Sequence, residues 1–466
     1  MKQEMRCLLL LLVLATPALA QLSDSQKVSI DDITRKILSD TGVPAASIAI
    51  VKDGRIVMAQ TYGNAKLSPK VPATPVMRFK IGSITKQFTA AALLLLAEQH
   101  KLSLEDPLSR YLPWLTRASE VTLRQLLSHT SGYQDYYPLD YVTPLMARDT
   151  TPAQILDGWA KKPLDFDPGT RWQYSNTNYV IIGQIIEKIT HKPLIEFLEA
   201  NIFEPLGMHS ATDNSDVEWN NAEPTGYKFF ALGPARPAVP EGKAWLYAAG
   251  NLAMTASDLA LWDISVMDGT ILKPASLKEK TTEAQLKTGT GSRYGMGLGL
   301  ATDTNGHRRW SHGGGTAGFI GANVMLPDDH IAVAVLTNGE SPAAPLIERQ
   351  IEDLLLSPTA DPGGKVALER ARRLFSGLQK GELDQSLLTA DTIFFFTQQA
   401  IADFASSLAP LGEPSSFTES THADRGGMTA RSFIIQAGGK RMALQTYIDR
   451  DGKFAQYMVA LLPAGR

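Results

Sequence analysis

The chain of 466 residues holds one cysteine, Cys7. A single thiol forms no internal disulfide, and its place near the start leaves no cysteine nucleophile and no cysteine-ligated metal site in the folded part. Charge of one sign is lacking as well. The formal net charge is -3, with no long basic run and no alternation of Lys/Arg with aromatics, so nucleic acid is not indicated as a partner. Two hydrolase signatures are missing, the Gly-x-Ser-x-Gly elbow and the His-Glu-x-x-His helix. Their absence argues against a Ser-His-Asp hydrolase and against zinc hydrolysis. The first apolar run, residues 8–14, is too short to cross a bilayer comfortably. It follows Lys2 and Arg6 and precedes Ala18-Leu19-Ala20, the pattern of a secretory peptide over 1–20 that is removed to leave Gln21 first. The mature chain is then expected to be periplasmic or secreted, with no stable membrane anchor, no metal and no cofactor.

A hydrophobic content of 44% over this length provides for two or three domains. The spacing predicts a helix over 30–40, then a hairpin of strands 45–51 and 55–62 turning at Lys52-Asp53-Gly54. A helix follows Ser83. Residues 104–267 read as helical pieces cut by Pro and Gly, at 123–128, 152–160, 179–189, 194–202 and 255–267, the last opened by Thr255 with Asp258 three residues on. Strand patterns return at 294–300, 319–326 and 331–337, and a helix over 345–356 closes the unit. Strands at both ends with helices between them define an α+β fold, in which one antiparallel sheet is built from both chain ends and flanked by helices, with a helical region inserted. The cleft between those parts is the natural site. Residues 357–364, rich in Pro and Gly, read as a linker. A small C-terminal α+β domain, 365–466, follows, with helices at 366–379 and 398–408 and strands at 430–436, 442–448 and 454–461.

Three clusters carry chemistry. In Ser83-Ile84-Thr85-Lys86, Ser83 is the only serine with a lysine three residues downstream, and the pair opens the apolar run 88–97. Residues i and i+3 share a helix face, so hydroxyl and amine can meet. Burial in the apolar helix lowers the amine's pKa toward that of a usable base. The bland alternative is a surface helix start with Ser83 as its cap. Second is Tyr174-Ser175-Asn176, between the loop Asp167-Pro168-Gly169 and the next helix; its plain reading is a packing tyrosine with Asn176 capping that helix. Third is Ser311-His312-Gly313-Gly314-Gly315-Thr316, read as a loop between strands. Its glycines let backbone N–H groups approach a bound oxyanion, and its plain reading is a hairpin loop with a solvated histidine. Lys287-Thr288-Gly289 lies in a Thr/Gly-rich connector and is set aside.

Ser83-x-x-Lys86, Tyr174-x-Asn176 and His312-x-Gly314, in that order, resemble the three motifs of the serine β-lactamase and penicillin-binding-protein superfamily. The branch is similar to the class C β-lactamase-related hydrolases, which include esterases, D-aminopeptidases and D-alanyl-D-alanine carboxypeptidases. Segments Leu126-Leu127-Ser128-His129-Thr130-Ser131-Gly132, Pro205-Leu206-Gly207-Met208, Ala249-Gly250-Asn251-Leu252 and Tyr294-Gly295-Met296-Gly297 share in the likeness, which covers about 30–356. The resemblance implies a β-lactamase/transpeptidase-like fold and a covalent acyl-enzyme at Ser83. Lys86 and Tyr174 share the general acid/base role, and which of them is the base stays open. Asn176, His312, Gly314 and Gly315 are implied in substrate binding, with an oxyanion held between the N–H groups of Ser83 and Gly315. The implied partner is a small acyl substrate or a D-amino-acid peptide; the oligomeric state is not given by sequence. One departure bears on the substrate. Where relatives carry Lys-Thr-Gly or Lys-Ser-Gly, this chain has His312-Gly313-Gly314, so carboxylate anchoring is expected to be weak, which favours an esterase, amidase or peptidase over an efficient β-lactamase, with a neutral short-chain ester cleaved faster than a β-lactam or a D-Ala-D-Ala peptide. The other readings are a β-lactamase or D-Ala-D-Ala carboxypeptidase, or a penicillin-binding sensor that is acylated and turns over slowly. The tail resembles a cystatin-like, NTF2-like cone.

Overall fold

The computed structural model describes residues 21–139, 141–214, 222–303, 306–356 and 362–462. The expected leader, 1–20, lies outside them, as do residues 357–361 of the expected linker. The chain divides into two compact units between Leu356 and Ser357.

The first unit is organised by a seven-stranded antiparallel sheet. Its strands are β1 (Ala45–Lys52), β2 (Arg55–Leu67), β3 (Lys70–Pro72), β4 (Gly299–Thr302), β5 (Arg308–Thr316), β6 (Phe319–Leu326) and β7 (Ile331–Thr337), in the order β3-β2-β1-β7-β6-β5-β4. The two ends of the unit meet at its centre, where β1 and β7 run antiparallel with Ala46 opposite Thr337 and Lys52 opposite Ile331. β7 is buried along its whole length, and β1 along all but its last residue. A strand covered on both faces reads as a nearly continuous apolar run, and these two do, broken only by Ser47, Lys52 and Thr337. Their alternate side chains face opposite layers. Ile48 and Ile50 join the core formed with α1 (Asp24–Thr41) and α5 (Ala343–Leu356). Ala49 and Val51 face the larger core, shared with α2 (Thr85–Glu98), α3 (Asn176–Thr190) and α4 (Ala256–Asp268). α5 is tied to β5 by Arg309, whose Nε and Nη2 donate to the two oxygens of the fully buried Glu352, each at 2.7 Å.

Two expectations need correction here. The strand pattern at 294–300 yields strand only at Gly299–Thr302. Gly297 takes a φ of 77° and packs on the backbone of Lys86, where a Cβ would come within 2.7 Å of the Lys86 carbonyl oxygen. That contact bends the segment around the start of α2. The stretch 311–316, read as a loop, makes up the last six of the nine residues of β5. Its glycines serve close approach within a strand, because a Cβ on Gly314 would lie 1.8 Å from the carbonyl oxygen of Ile81.

The second unit has α6 (Pro362–Gln379), α7 (Ala390–Phe395) and α8 (Gln398–Leu408) with a four-stranded antiparallel sheet. Its strands are β8 (Ser416–Arg425), β9 (Met428–Ala437), β10 (Lys440–Ile448) and β11 (Phe454–Leu461), and its core includes Phe375, Phe417, Phe433 and Phe454. β8 and α7 are additions to the elements read from sequence. β8 is polar (SFTESTHADR) and lacks the apolar pattern that revealed the other three. α6 begins at Pro362, inside the stretch read as linker, since proline is well suited to a first helical turn. Among the described residues no helix is long and apolar enough to cross a membrane.

Candidate active site

A tight turn, Gly82–Ile84, leads directly into α2 and places Ser83 one helical turn before Lys86. Ser83 does not cap α2, because the cap position is Ile84 and makes no side-chain bond. α2 is apolar on nearly all sides and buried along most of its length, so Lys86 is carried into the core with no exposed surface. Its Nζ lies 2.9 Å from Ser83 Oγ, 2.7 Å from Asn176 Oδ1 and 2.7 Å from the carbonyl oxygen of Ala249. Burial pushes the amine down to about 7, against the opposing pull of the Asp135 carboxylate.

Those partners determine what a neutral amine does. The carbonyl of Ala249 only accepts. The Asn176 oxygen faces Lys86 because its Nδ2 is turned toward Asp135 Oδ1, at 3.1 Å. A neutral amine has two protons and one lone pair. Both protons go to these two acceptors, and the lone pair is left for the Ser83 hydroxyl.

Asn176 is the first residue of α3 and does not cap it; Ser175 holds the cap position, without a side-chain bond. Asp135 fixes Asn176 further by accepting its backbone N–H at 3.0 Å. Tyr174, half-buried just before α3, presents its ring to Lys86, with Nζ 4.9 Å from the centroid. Burial raises its phenol above the ordinary tyrosine value, a shift that hydrogen bonding with Ser83 opposes and the Asp135 charge reinforces.

Ser83, Tyr174, Asn176 and Gly315 line one cleft of about 590 Å³. Gly314 and Gly315 sit against the Ser83 turn: a Cβ on Gly82 would lie 2.6 Å from Gly315 N, and one on Gly314 would lie 3.0 Å from Ser83 N. The backbone segments that carry the two amides named as oxyanion donors are therefore in close contact. His312 and Gly314 are not in the cleft lining. The His312 Nδ1 bonds the Gly313 carbonyl at 2.6 Å and its Nε2 the Tyr294 hydroxyl at 2.8 Å. A carbonyl only accepts, so Nδ1 carries the ring proton and Nε2 accepts from Tyr294. Burial, reinforced by the Lys86 charge, pushes this imidazole down to about 3.

Asp135, the Ala249 carbonyl and Tyr294 were not named as site residues from sequence. Ala249 and Tyr294 fall in segments that carry the family resemblance. Asp135 lies three residues beyond such a segment and shows no signal of its own. Among the described residues no group of three or more His, Cys, Asp or Glu side chains is placed to hold a metal ion.

An antiparallel sheet closed by both ends of the first unit, with Ser83 on a turn at the cleft edge and the buried Lys86 in the first turn of the helix that follows, defines a β-lactamase-like protein. The chain belongs to the beta-lactamase family, whose model matches residues 30–356. It is similar to a D-aminopeptidase from Brucella anthropi, 30% identical over 68% of this chain and 60% of that protein's length. Among solved structures it is similar to a D-amino acid amidase from Ochrobactrum anthropi determined with L-phenylalanine amide. The identity is 26% and the TM-score 0.62, over 71% of this chain and 97% of that one. The fold of an octameric penicillin-binding protein homologue from Pyrococcus abyssi, 23% identical with a TM-score of 0.62, covers 94% of this chain and 100% of its own.

Proposed function

We propose that the protein is a serine hydrolase that cleaves small ester or amide bonds through an acyl-enzyme on Ser83. The observation that carries the reading is the Lys86 amine, fully buried and pushed to about 7, with both its fixed partners pure acceptors and its lone pair left for Ser83. Ser83 Oγ attacks the substrate carbonyl while its proton moves to Lys86. The Tyr174 phenol, kept protonated by burial, gives a proton to the leaving group and regains one from Lys86. The oxyanion is met by the N–H groups of Ser83 and Gly315. Water then enters by the same steps in reverse and releases the acid.

Relatives named as a D-aminopeptidase and a D-amino acid amidase support amides of D-amino acids as one substrate class. The cleft lining agrees with that class. It holds the carboxylates Asp135 and Glu340 and no cationic side chain among the described residues, which favours a substrate ammonium group and disfavours a carboxylate such as that of a penicillin. Export through the N-terminal segment belongs to the same proposal and rests on the sequence pattern; N-terminal sequencing of the mature protein checks it.

Treatment with a fluorophosphonate followed by peptide mapping tests the function. The adduct is expected on Ser83 and absent from Ser83→Ala, and p-nitrophenyl acetate and D-alanine p-nitroanilide are expected to turn over faster than a cephalosporin. An adduct elsewhere, or a higher kcat/KM on the cephalosporin, overturns the reading.

A further inference from the structure

Tyr174 stands in an extended stretch that belongs to no sheet, so strand pairing does not hold its backbone. His129 does. The carbonyl of His129 accepts the N–H of Gln173 at 3.0 Å, and its Nδ1 accepts the N–H of Ser175 at 3.2 Å. One residue thus grips the chain on both sides of the tyrosine. The imidazole also lies against the Tyr174 ring, with centroids 4.4 Å apart and planes tilted by 37°.

This arrangement is not ordinary packing. His129 has no exposed surface and a left-handed φ of 60°, which side chains with a Cβ seldom adopt. A second donor, Asn178 Nδ2, stands 3.2 Å from Nδ1, directed there because the Asn178 oxygen accepts from the Ser131 hydroxyl at 2.6 Å. Two N–H groups directed at Nδ1 place the ring proton on Nε2. That atom is buried with no hydrogen-bond partner among the described residues, in an imidazole that packs among the rings of Tyr174, Tyr179, Tyr294 and Trp172. An unpaired buried N–H is unfavourable, and phenylalanine would fill the same space without one. What phenylalanine lacks is the acceptor at Nδ1. Burial and the nearby Lys86 charge hold the ring in its neutral form.

We propose that His129 is the positioning residue for Tyr174: its carbonyl and Nδ1 clamp the two peptide N–H groups that flank the tyrosine, and its ring sets the plane of the phenol. The inference rests on the acyl-transfer reading, which labelling of wild-type Ser83 tests separately. The measurements are kcat and KM for p-nitrophenyl acetate and the rate of fluorophosphonate labelling, in the full chain. His129→Leu, which removes acceptor and ring, is expected to lower kcat and labelling by on the order of a hundredfold, with KM changed by less than about threefold. In a Tyr174→Phe background the same substitution is expected to cost nothing further, since there is no phenol left to position. His129→Asn keeps an acceptor near the Nδ1 position and tolerates the positive φ. It is expected to retain more than about a tenth of wild-type kcat, and it decides the matter if the leucine variant does not fold. Additive losses in the double variant, or an asparagine variant with an unchanged melting temperature and a kcat as low as that of Tyr174→Phe, overturn the proposal. Absence of an adduct on wild-type Ser83 overturns the acyl-transfer reading instead.

Discussion

Lys86 and Lys280 are buried to the same degree beside the same turn of α2. Neither has exposed surface, and burial pushes each down to about 7. Only their partners differ. Lys280 Nζ donates to the carbonyl of Gln87 at 2.9 Å and of Met296 at 3.0 Å, and stands 5.8 Å from the centroid of Trp262. Both of its hydrogen-bond partners are acceptors with no proton to give. Lys86 has two such acceptors and, third, a hydroxyl on the edge of a cleft. A depressed lysine is therefore a base only where its lone pair meets a proton donor that substrate can reach; the other lysine is a buried strut joining α2 to the Tyr294–Gly297 segment.

The largest expected effect breaks the pair apart. Lys86→Met should lower kcat/KM for p-nitrophenyl acetate by about 10²–10⁴, the usual worth of a general base, while leaving the fold intact by circular dichroism. Lys280→Met should cost less than about tenfold, because it touches no reacting atom. Equal losses in the two variants would show that burial, and not partnership with Ser83, is what matters.

Stability separates what activity does not. A lysine near 7 in the fold and 10.5 when free binds fewer protons in the folded state across that interval, so its contribution makes the protein more stable as pH rises from 7 toward 10.5. For Lys280 the full interval corresponds to about 5 kcal/mol. The Lys280→Met variant lacks this slope. It should gain on the wild type at pH 7 and lose that advantage by pH 10, as read from urea midpoints. A constant difference between the two across this range would mean that Lys280 is charged in the fold.

Little of this contrast is legible in the sequence. Lys86 announces itself through its spacing from Ser83 and the apolar run behind it. Lys280 ends the charged string Lys278-Glu279-Lys280, which reads as a solvated helix face, and nothing local says that its last residue turns inward. The sheet was readable at its centre, where β1 and β7 are covered on both faces and are apolar at all but Ser47, Lys52 and Thr337. At its edge the same reasoning fell short: three successive glycines look like a loop, and only contact with the Ile81 carbonyl, from a segment far away in sequence, explains them as strand. Asp135 was invisible for a related reason. Its role is to turn the Asn176 amide, and that depends on a meeting of a loop with the start of α3 that neither encodes alone.

The pH dependence of the rate is a finer probe. With Lys86 as base, kcat/KM on a neutral ester should rise through a midpoint near 7 and stay level toward pH 10, because Tyr174 is raised and does not ionise in that interval. The Asp135 carboxylate pulls Lys86 upward, so Asp135→Asn should let burial dominate and move the midpoint to lower pH, whatever it does to the plateau. A shift to higher pH would assign the limb to another group.

The smallest expected effect concerns substrate charge. Above pH 7 Lys86 loses its charge while Asp135 and Glu340 remain in the cleft wall, so the cleft becomes more negative as the base becomes active. A D-amino-acid p-nitroanilide with a free ammonium group should then be cleaved a few-fold faster than its N-acetyl form. The ratio should grow between pH 6 and 8, and shrink as salt is raised from 0.05 to about 0.5 M, since screening weakens interactions at this range. Glu340→Gln should halve the preference or better while leaving the acetyl substrate unchanged. If the ratio ignores both salt and Glu340, recognition of the amine lies elsewhere than in these two carboxylates, and the contrast between the lysines keeps its meaning for proton transfer but loses it for selectivity.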